Sequence, residues 1–146
     1  MTSRFRAEDI KRMMEHLHTM GAAFGITFAD RPILSNSHLA LQAAEFARET
    51  GKFDPFHEAL FAAYFSQGLD IGDMDVLQQL ALDNSLEADA MVHAVKSGKY
   101  LSKLEEAKEA AARLGVTGVP TFFINGKKSI VGAQSLDVFR KVLKSR

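Results

Sequence analysis

The strongest structural signal in this chain lies in residues 115–126, which read GVTGVPTFFING. Pro120 precedes a short apolar run, residues 121–124, which is β-prone and shows no alternation of apolar and polar positions. The Asn-Gly pair that follows is the strongest short hairpin signal, because both central residues of such a turn need positive φ. The stretch therefore predicts a strand over 121–124, a tight turn and a returning strand over 129–131.

The predicted strand over 121–124 requires neighbours. A strand that is apolar on both faces normally lies inside a larger, covered sheet. A two-stranded hairpin alone is at best marginally stable in water, and an open strand edge readily pairs with another strand. Apart from an extended piece around 26–28, the rest of the chain offers little that is typical of strands. We therefore expect the open edge to pair with another copy, another chain or a missing segment.

Most of the remaining sequence is typical of helices. Apolar residues recur at three- and four-residue spacing, and capping residues or glycines stand at the ends of these segments. The predicted start signals are Ser35 or Asn36, Asp54 with Pro55, Asp73, Ser85 and Ser135. The predicted buried sides are Ile10, Met13, Met14 and Leu17; Leu39, Ala43, Phe46 and Ala47; Phe56, Leu60, Phe61, Tyr64 and Phe65; Val76, Leu77, Leu80 and Ala81; Ala88, Met91, Val92 and Val95; Leu101, Leu104, Ala107, Ala111 and Leu114; and Leu136, Phe139, Val142 and Leu143.

Composition excludes several classes of function. The 146 residues include 18 basic and 18 acidic side chains, so the chain lacks the electrostatic footprint of a nucleic-acid-binding protein. No apolar run approaches the roughly 18 residues that indicate a membrane span. The absence of cysteine excludes disulfides, thiolate metal sites and thiol nucleophiles within this chain. We expect a soluble, cytoplasmic protein that binds neither nucleic acid nor membranes.

The histidines and carboxylates do not match a known metal motif. His57 and Glu58 begin a zinc-protease pattern, but its second histidine would have to occupy the position of Phe61. The aspartates within 70–75 lack the glutamate that closes a calcium loop. We therefore predict no metal site and interpret His57 as a polar neighbour of an aromatic core face.

The chain resembles the DsbA-like thioredoxin family, specifically its FrnE-like branch, which is related to 2-hydroxychromene-2-carboxylate isomerases and kappa-class glutathione transferases. The matching segments are 36–40, 59–65 with 70–73, and 115–122 with 132–134. The resemblance implies an α/β, thioredoxin-like but incomplete fold, consisting mostly of a helical insertion followed by a C-terminal β-hairpin and helix.

The resemblance also implies how the domain is organised. Residues 1–146 would form a single DsbA-like domain that is truncated at its N-terminus. Its helical insertion would occupy residues 7–114, and the second thioredoxin half would occupy 115–146. The βαβ half that carries the Cys-x-x-C pair would then precede Met1, and its strands would supply the neighbour that 121–124 requires.

The resemblance assigns the candidate binding residues. It implies a cis bond before Pro120, and it implies that Gly118, Val119 and Pro120 line a groove for a peptide or for glutathione. Such a groove binds an extended segment by strand addition, in which main-chain hydrogen bonds supply affinity. Asn36 and His38 lie where the family's insertion approaches the active-site cleft, although a helix cap with a surface histidine is the simpler interpretation. The resemblance assigns no catalytic residue.

Three functions remain open at this point. By resemblance the chain is a homologue of DsbA-family thiol-disulfide oxidoreductases, and we expect it to be inactive alone because dithiol exchange requires a reactive thiolate. A glutathione-dependent isomerase or transferase is an alternative, with glutathione as the possible cofactor. The third is a non-catalytic binding or assembly module. We expect a homodimer through the open sheet edge.

Overall fold

The computed structural model describes residues 7–30, 34–126 and 128–144. The chain divides into two compact units, and the boundary falls between Leu104 and Glu105. We call them the helical unit and the hairpin unit. In chain order the elements are α1 (Ala7–Ala22), α2 (His38–Glu49), α3 (Phe53–Phe61), a π-helical segment (Ala62–Ser66), α4 (Met74–Asp83), α5 (Ala88–Lys96), α6 (Leu101–Arg113), β1 (Thr121–Ile124), β2 (Lys128–Val131) and α7 (Leu136–Lys144).

The core of the helical unit lies among α2, α3, α4 and α5. Helix α2 packs against each of the other three. Its buried positions are mostly alanines, and small contact residues allow helix axes to approach closely. The apolar spacing in the sequence predicts most of this core. The buried apolar residues are Ala40, Ala43, Ala44, Phe46, Ala47, Phe56, Leu60, Ala63, Leu77, Leu80, Ala81, Leu86, Ala88, Met91, Ala94, Val95 and Tyr100.

A polar network joins the end of α2 to the turn before α6. The buried Tyr100 donates its hydroxyl to Glu49 Oε2 at 2.7 Å, and Lys99 Nζ donates to Glu49 Oε1 at 2.7 Å. The hydrogen bonds from Lys99 and then from Tyr100 lower the pKa of Glu49. The bond to Glu49 raises the pKa of Lys99. The network therefore stabilises the charged forms of both side chains.

Helix α3 differs from its prediction at both ends. It begins at Phe53, so Asp54 is not the N-cap and Pro55 is the third helical residue. Proline is tolerated there because first-turn N–H groups have no intrahelical partner. The α-helix ends at Phe61 and continues as the π-helical segment, in which Gln67 N–H donates to Ala62 O at 2.9 Å.

The aromatic side chains of α3 and of the π-helical segment differ in burial. Phe56 and Leu60 lie in the core as predicted. Phe61 and Phe65 remain 53% and 40% exposed, so the prediction that they pack inside the core is wrong. A π turn inserts one residue into the helix and rotates the positions that follow. Phe65 lies within this segment, whereas Phe61 is the last residue of α3 and points about 140° away from Phe56 around a regular helix.

The other helix starts agree with the sequence only in part. Asp73 caps α4 as predicted, since its Oδ1 accepts the Asp75 N–H at 2.9 Å. Ser85 does not cap α5, which begins three residues later at Ala88. Helix α7 begins directly after Ser135, whose carbonyl rather than hydroxyl accepts the first N–H bonds.

Two predicted helix faces are less buried than their spacing suggests. Within α6 no residue of the described chain is buried, so its predicted apolar side is wrong in that respect. In α1 Met13 is 49% exposed, and the side chain of Ile10 lies outside the described residues. None of the described helices has the length and apolar character that crossing a membrane requires.

The hairpin unit contains the larger part of α6, together with β1, β2 and α7. The strands pair antiparallel, with Thr121 opposite Val131 and Phe122 opposite Ile130. The two residues of the predicted turn, Asn125 and Gly126, have φ of 52° and 66°, as a tight hairpin requires. The Phe122 ring meets that of Phe139 on α7 edge to face, with centroids 5.0 Å apart. One face of the hairpin therefore packs against α7.

Candidate functional site

The loop before β1 presents an exposed valine on a fixed backbone. The Val119–Pro120 peptide bond is cis, and Val119 is 88% exposed. Thr121 Oγ1 donates to Gly118 O at 2.6 Å, and Gly132 N–H donates to Pro120 O at 2.8 Å. These two bonds hold the loop on both sides of Val119, whose side chain is left accessible.

The hydrogen-bond pattern of the hairpin defines the free edge of β1. The bond from Gly132 to Pro120 makes these two residues a hydrogen-bonded pair at the start of the ladder. In an antiparallel ladder such pairs alternate with non-hydrogen-bonded pairs. The backbone groups of Thr121 and Phe123 therefore point away from β2, since their partners Val131 and Ser129 are non-hydrogen-bonded. Within the described residues β1 has β2 as its single strand neighbour.

Two residues after β2 support the loop, and the sequence did not single out their roles. Gly132 adopts φ of 83°, a region that favours glycine, and there it donates to Pro120. Gln134 Nε2 donates to Val131 O at 2.9 Å and so fixes the end of β2. The only sequence signal for either residue was its place in the family-like segment 132–134.

Asn36 and His38 belong to the helical unit and form a helix cap. Asn36 Oδ1 accepts the backbone N–H of His38 at 3.1 Å, which supports the simpler interpretation of this segment. A side chain at Gly72 would come within 3.0 Å of Asn36 O, so the turn before α4 packs closely against the cap. Asp70 lies in that turn, and its pKa is lowered first by the Ser35 hydroxyl and then by the Gly72 N–H.

His57 forms part of an aromatic column on α3. Its ring stacks on Phe53 with centroids 4.9 Å apart and contacts Phe61 at 4.7 Å. The column continues from Phe61 to Phe65 at 5.5 Å. No cluster of three or more metal-ligating side chains occurs among the residues that the structure describes. The partners of His57 are thus Phe53, which is partly buried, and Phe61, which the sequence predicted to be buried but which is exposed.

The geometry of the loop limits the chemistry available to it. The loop offers backbone hydrogen-bonding groups, an exposed valine side chain and an unpaired strand edge. It contributes no thiol, because the chain has no cysteine. The site can therefore hold an extended segment but cannot itself exchange a disulfide.

Comparison with known proteins identifies the family. The profile of the family described as DSBA-like thioredoxin domain matches residues 2–144. The chain belongs to the DsbA-like thioredoxin family. Its fold is the family's thioredoxin-like fold, mostly helical, with a small C-terminal two-stranded sheet and a final helix.

Individual proteins and solved structures are also similar to this chain. The uncharacterized protein YwbO of Bacillus subtilis is 34% identical over 106 residues, which are 72% of this chain and 52% of YwbO. The thiol:disulfide interchange protein DsbA of Azotobacter vinelandii is 28% identical over 71 residues, 49% of this chain and 33% of that protein. A crystal structure of a probable DsbA oxidoreductase from Streptomyces coelicolor superimposes with a TM-score of 0.79 and 25% identity.

The matches cover much more of this chain than of its relatives. The Streptomyces structure matches 95% of this chain but only 61% of its own length, and the curated relatives are matched over 52% or less of theirs. The chain thus spans about half the length of the curated relatives it matches.

Proposed function

We propose that this chain is a homologue of DsbA-family thiol-disulfide oxidoreductases, of the FrnE-like branch, that supplies the peptide-binding loop and no redox chemistry of its own. The observation that carries the proposal is the exposed Val119 beside the free edge of β1, in a family member without cysteine. Dithiol exchange proceeds through attack by a thiolate, and no side chain of these 146 residues can form one.

The proposed ligand is an extended peptide segment. Such a segment would lie along β1 and pair with the outward-pointing backbone groups of Thr121 and Phe123. The exposed Val119 would add an apolar contact at the end of the strand. Glutathione is itself a short extended peptide and is the small-molecule alternative at the same loop.

A redox assay and a binding assay test the two halves of the proposal. Insulin reduction by dithiothreitol in the presence of the purified chain should run at the uncatalysed rate, with an intact DsbA as the positive control. Turnover clearly above the uncatalysed rate would contradict the first half. Calorimetry with millimolar glutathione and with an unstructured peptide measures whether the chain binds either ligand.

A pair of variants separates backbone recognition from side-chain contact. Phe123→Pro removes an outward N–H and leaves the hairpin ladder intact, because that N–H does not face β2. Phe123→Ala shortens the side chain and keeps the N–H. We expect peptide binding to be lost in the proline variant and largely retained in the alanine variant. Equal loss in both would indicate that the side chain, and not the strand edge, binds the peptide.

A second proposal concerns assembly of the isolated chain. Strand β1 carries no charged side chain, and such edges pair readily with other strands. We propose a homodimer in which two β1 strands pair antiparallel about a two-fold axis through Phe122. In that register Thr121 of each copy forms a hydrogen-bonded pair with Phe123 of the other, so all four outward groups of each strand find partners.

Sedimentation measurements test the dimer directly. The expected mass is twice 16.1 kDa, and Phe123→Pro should reduce it to the monomer value while Phe123→Ala should not. A wild-type chain that remains a monomer at high concentration would contradict the assembly proposal and leave the peptide-binding proposal intact.

A further inference from the structure

A pocket of about 240 Å³ lies in the helical unit between α2 and the helix formed by α3 and the π-helical segment. Its apolar lining includes Ala40 and Ala44 on α2 and Leu60 on α3. All three side chains are nearly fully buried, so this side of the pocket belongs to the packed core. The pocket is therefore a preformed feature of the fold, as ligand sites usually are.

The wall of the pocket where α3 passes into the π-helical segment is aromatic. Phe61 and Phe65 line it and are also half exposed. Their rings are tilted against each other with centroids 5.5 Å apart. An uninterrupted α-helix would place the later positions differently, and π turns occur frequently at functional sites. The two rings form a surface on which a third aromatic ring can stack.

Three polar side chains line the pocket. These are the Ser37 hydroxyl, the His57 imidazole and the Tyr64 hydroxyl. Ser37 precedes α2 without capping it through its side chain. Among the residues that the structure describes, none accepts from or donates to any of the three side chains. An apolar pocket with a few unpaired polar groups is typical of a small-molecule site.

The size and charge of the pocket restrict the ligand. An apolar cavity of about 150 Å³ accommodates one benzene ring, so a pocket of about 240 Å³ has room for one substituted ring. None of the described residues that line the pocket is a lysine or an arginine, and the acidic Asp70 directly precedes the lining residue Ile71. A carboxylate would therefore lose its hydration without gaining a permanent cation.

We infer that this pocket binds a neutral, single-ring aromatic molecule that carries one hydroxyl group. The ring lies against Phe61 and Phe65, and the hydroxyl pairs with Ser37, His57 or Tyr64. All of the residues that line this pocket belong to the helical unit, whereas the peptide-binding loop belongs to the hairpin unit.

Two-dimensional amide NMR of the full 146-residue chain, titrated with 4-methylphenol, tests the inference. We expect saturable shifts at residues 37–44 and 57–71. Toluene and benzoate are the matched probes, one without the hydroxyl and one with a charge. No saturable shift with 4-methylphenol, or tighter binding of benzoate, would overturn the inference.

The location of the shifts is also decisive. A second pocket, of about 530 Å³, shares Phe61 and Phe65 but extends to Leu17 and Phe28. Shifts centred on Leu17 and Phe28, without shifts at Ala40 and Ala44, would place the ligand there and overturn the assignment.

Single substitutions identify the hydroxyl partner. The variants are Ser37→Ala, His57→Phe and Tyr64→Phe. We expect at least one of them to bind 4-methylphenol about fivefold more weakly, because one hydrogen bond is lost, while the affinity for toluene stays constant. Leu82→Ala, an exposed position on α4 outside the pocket lining, is the control and should change neither affinity. Unchanged phenol-to-toluene ratios in all three variants would show that the polar groups do not recognise the hydroxyl and would overturn the inference.

Discussion

The helical unit and the hairpin unit use apolar residues in opposite ways. In the helical unit Phe56, Leu77 and Met91 are completely buried. In the hairpin unit Ile130 is the one buried apolar residue among those that the structure describes. Leu136 and Leu143 are more than 60% exposed. Helices bury one stripe against neighbours close in sequence, whereas a strand with two apolar faces requires partners on both sides and at its edge. The helical unit therefore contains its own core, whereas the hairpin unit leaves most of its described apolar side chains exposed.

The largest expected difference in unfolding free energy is between a core phenylalanine of the helical unit and an exposed phenylalanine of β1. Phe56→Ala should lower the free energy of unfolding by about 3–5 kcal/mol, because it leaves a cavity at a fully buried site. Phe123→Ala, at a 45% exposed site in β1, should lower it by less than about 1 kcal/mol. Urea unfolding followed by circular dichroism measures both. Similar losses at the two sites would mean that the hairpin unit has a core of its own.

A smaller difference is expected at the helix starts. Asp73→Ala should cost about 1 kcal/mol, because it removes the acceptor for the Asp75 N–H. Ser135→Ala should stay within about 0.5 kcal/mol, since the Ser135 hydroxyl makes no capping bond in the described chain. The same urea titration compares them. A Ser135 variant as unstable as the Asp73 variant would show that α7 is capped in solution.

The Glu49 network makes the helical unit sensitive to acid. The pKa of Glu49 in the folded chain lies below its ordinary value of 4.5. Its contribution to stability is therefore fully present above pH 4.5 and is lost as the pH falls through the folded pKa. The difference in unfolding free energy between wild type and Glu49→Gln should be constant from pH 7 down to about 5 and should shrink below 4.5. A difference that persists at pH 2 would contradict the assigned role of the charge.

The smallest effect is expected on the exposed apolar surface of α7. Leu143→Ser should change the unfolding free energy by no more than about 0.5 kcal/mol, because the side chain is 61% exposed. The same substitution should reduce binding of a hydrophobic dye. A clear loss of stability would show that Leu143 is covered in solution and would identify α7 as part of an interface.

Local sequence signals predicted the elements that depend on near neighbours. The Asn125-Gly126 turn, the strand before it and the Asp73 cap all rest on contacts within a few residues. The cis bond at Pro120 agrees with the resemblance and not with proline statistics, since most bonds before proline are trans.

The candidate pocket could not have been predicted from the spacing of residues. The prediction buried Phe56, Phe61 and Phe65 together, but at about 100° per residue a regular helix places Phe61 and Phe65 about 140° and 180° away from Phe56, so the predicted buried side was too wide. The π-helical segment changes the phase further after Phe61, and a single inserted residue leaves no signal in an apolar pattern of this length. Ser85 does not cap α5, because it adopts φ of 59° in the turn that closes α4.

The sequence by itself determined the family, the helical character of most of the chain, the hairpin and the absence of thiol chemistry, because each depends on residue identity or on short-range spacing. Tertiary structure alone decided which aromatic side chains are buried, how the π-helical segment shapes the pocket beside α2, and which backbone groups of β1 point outward. Those properties depend on contacts between residues far apart in the chain and on ladder register. The residue pattern of a single segment does not contain that information.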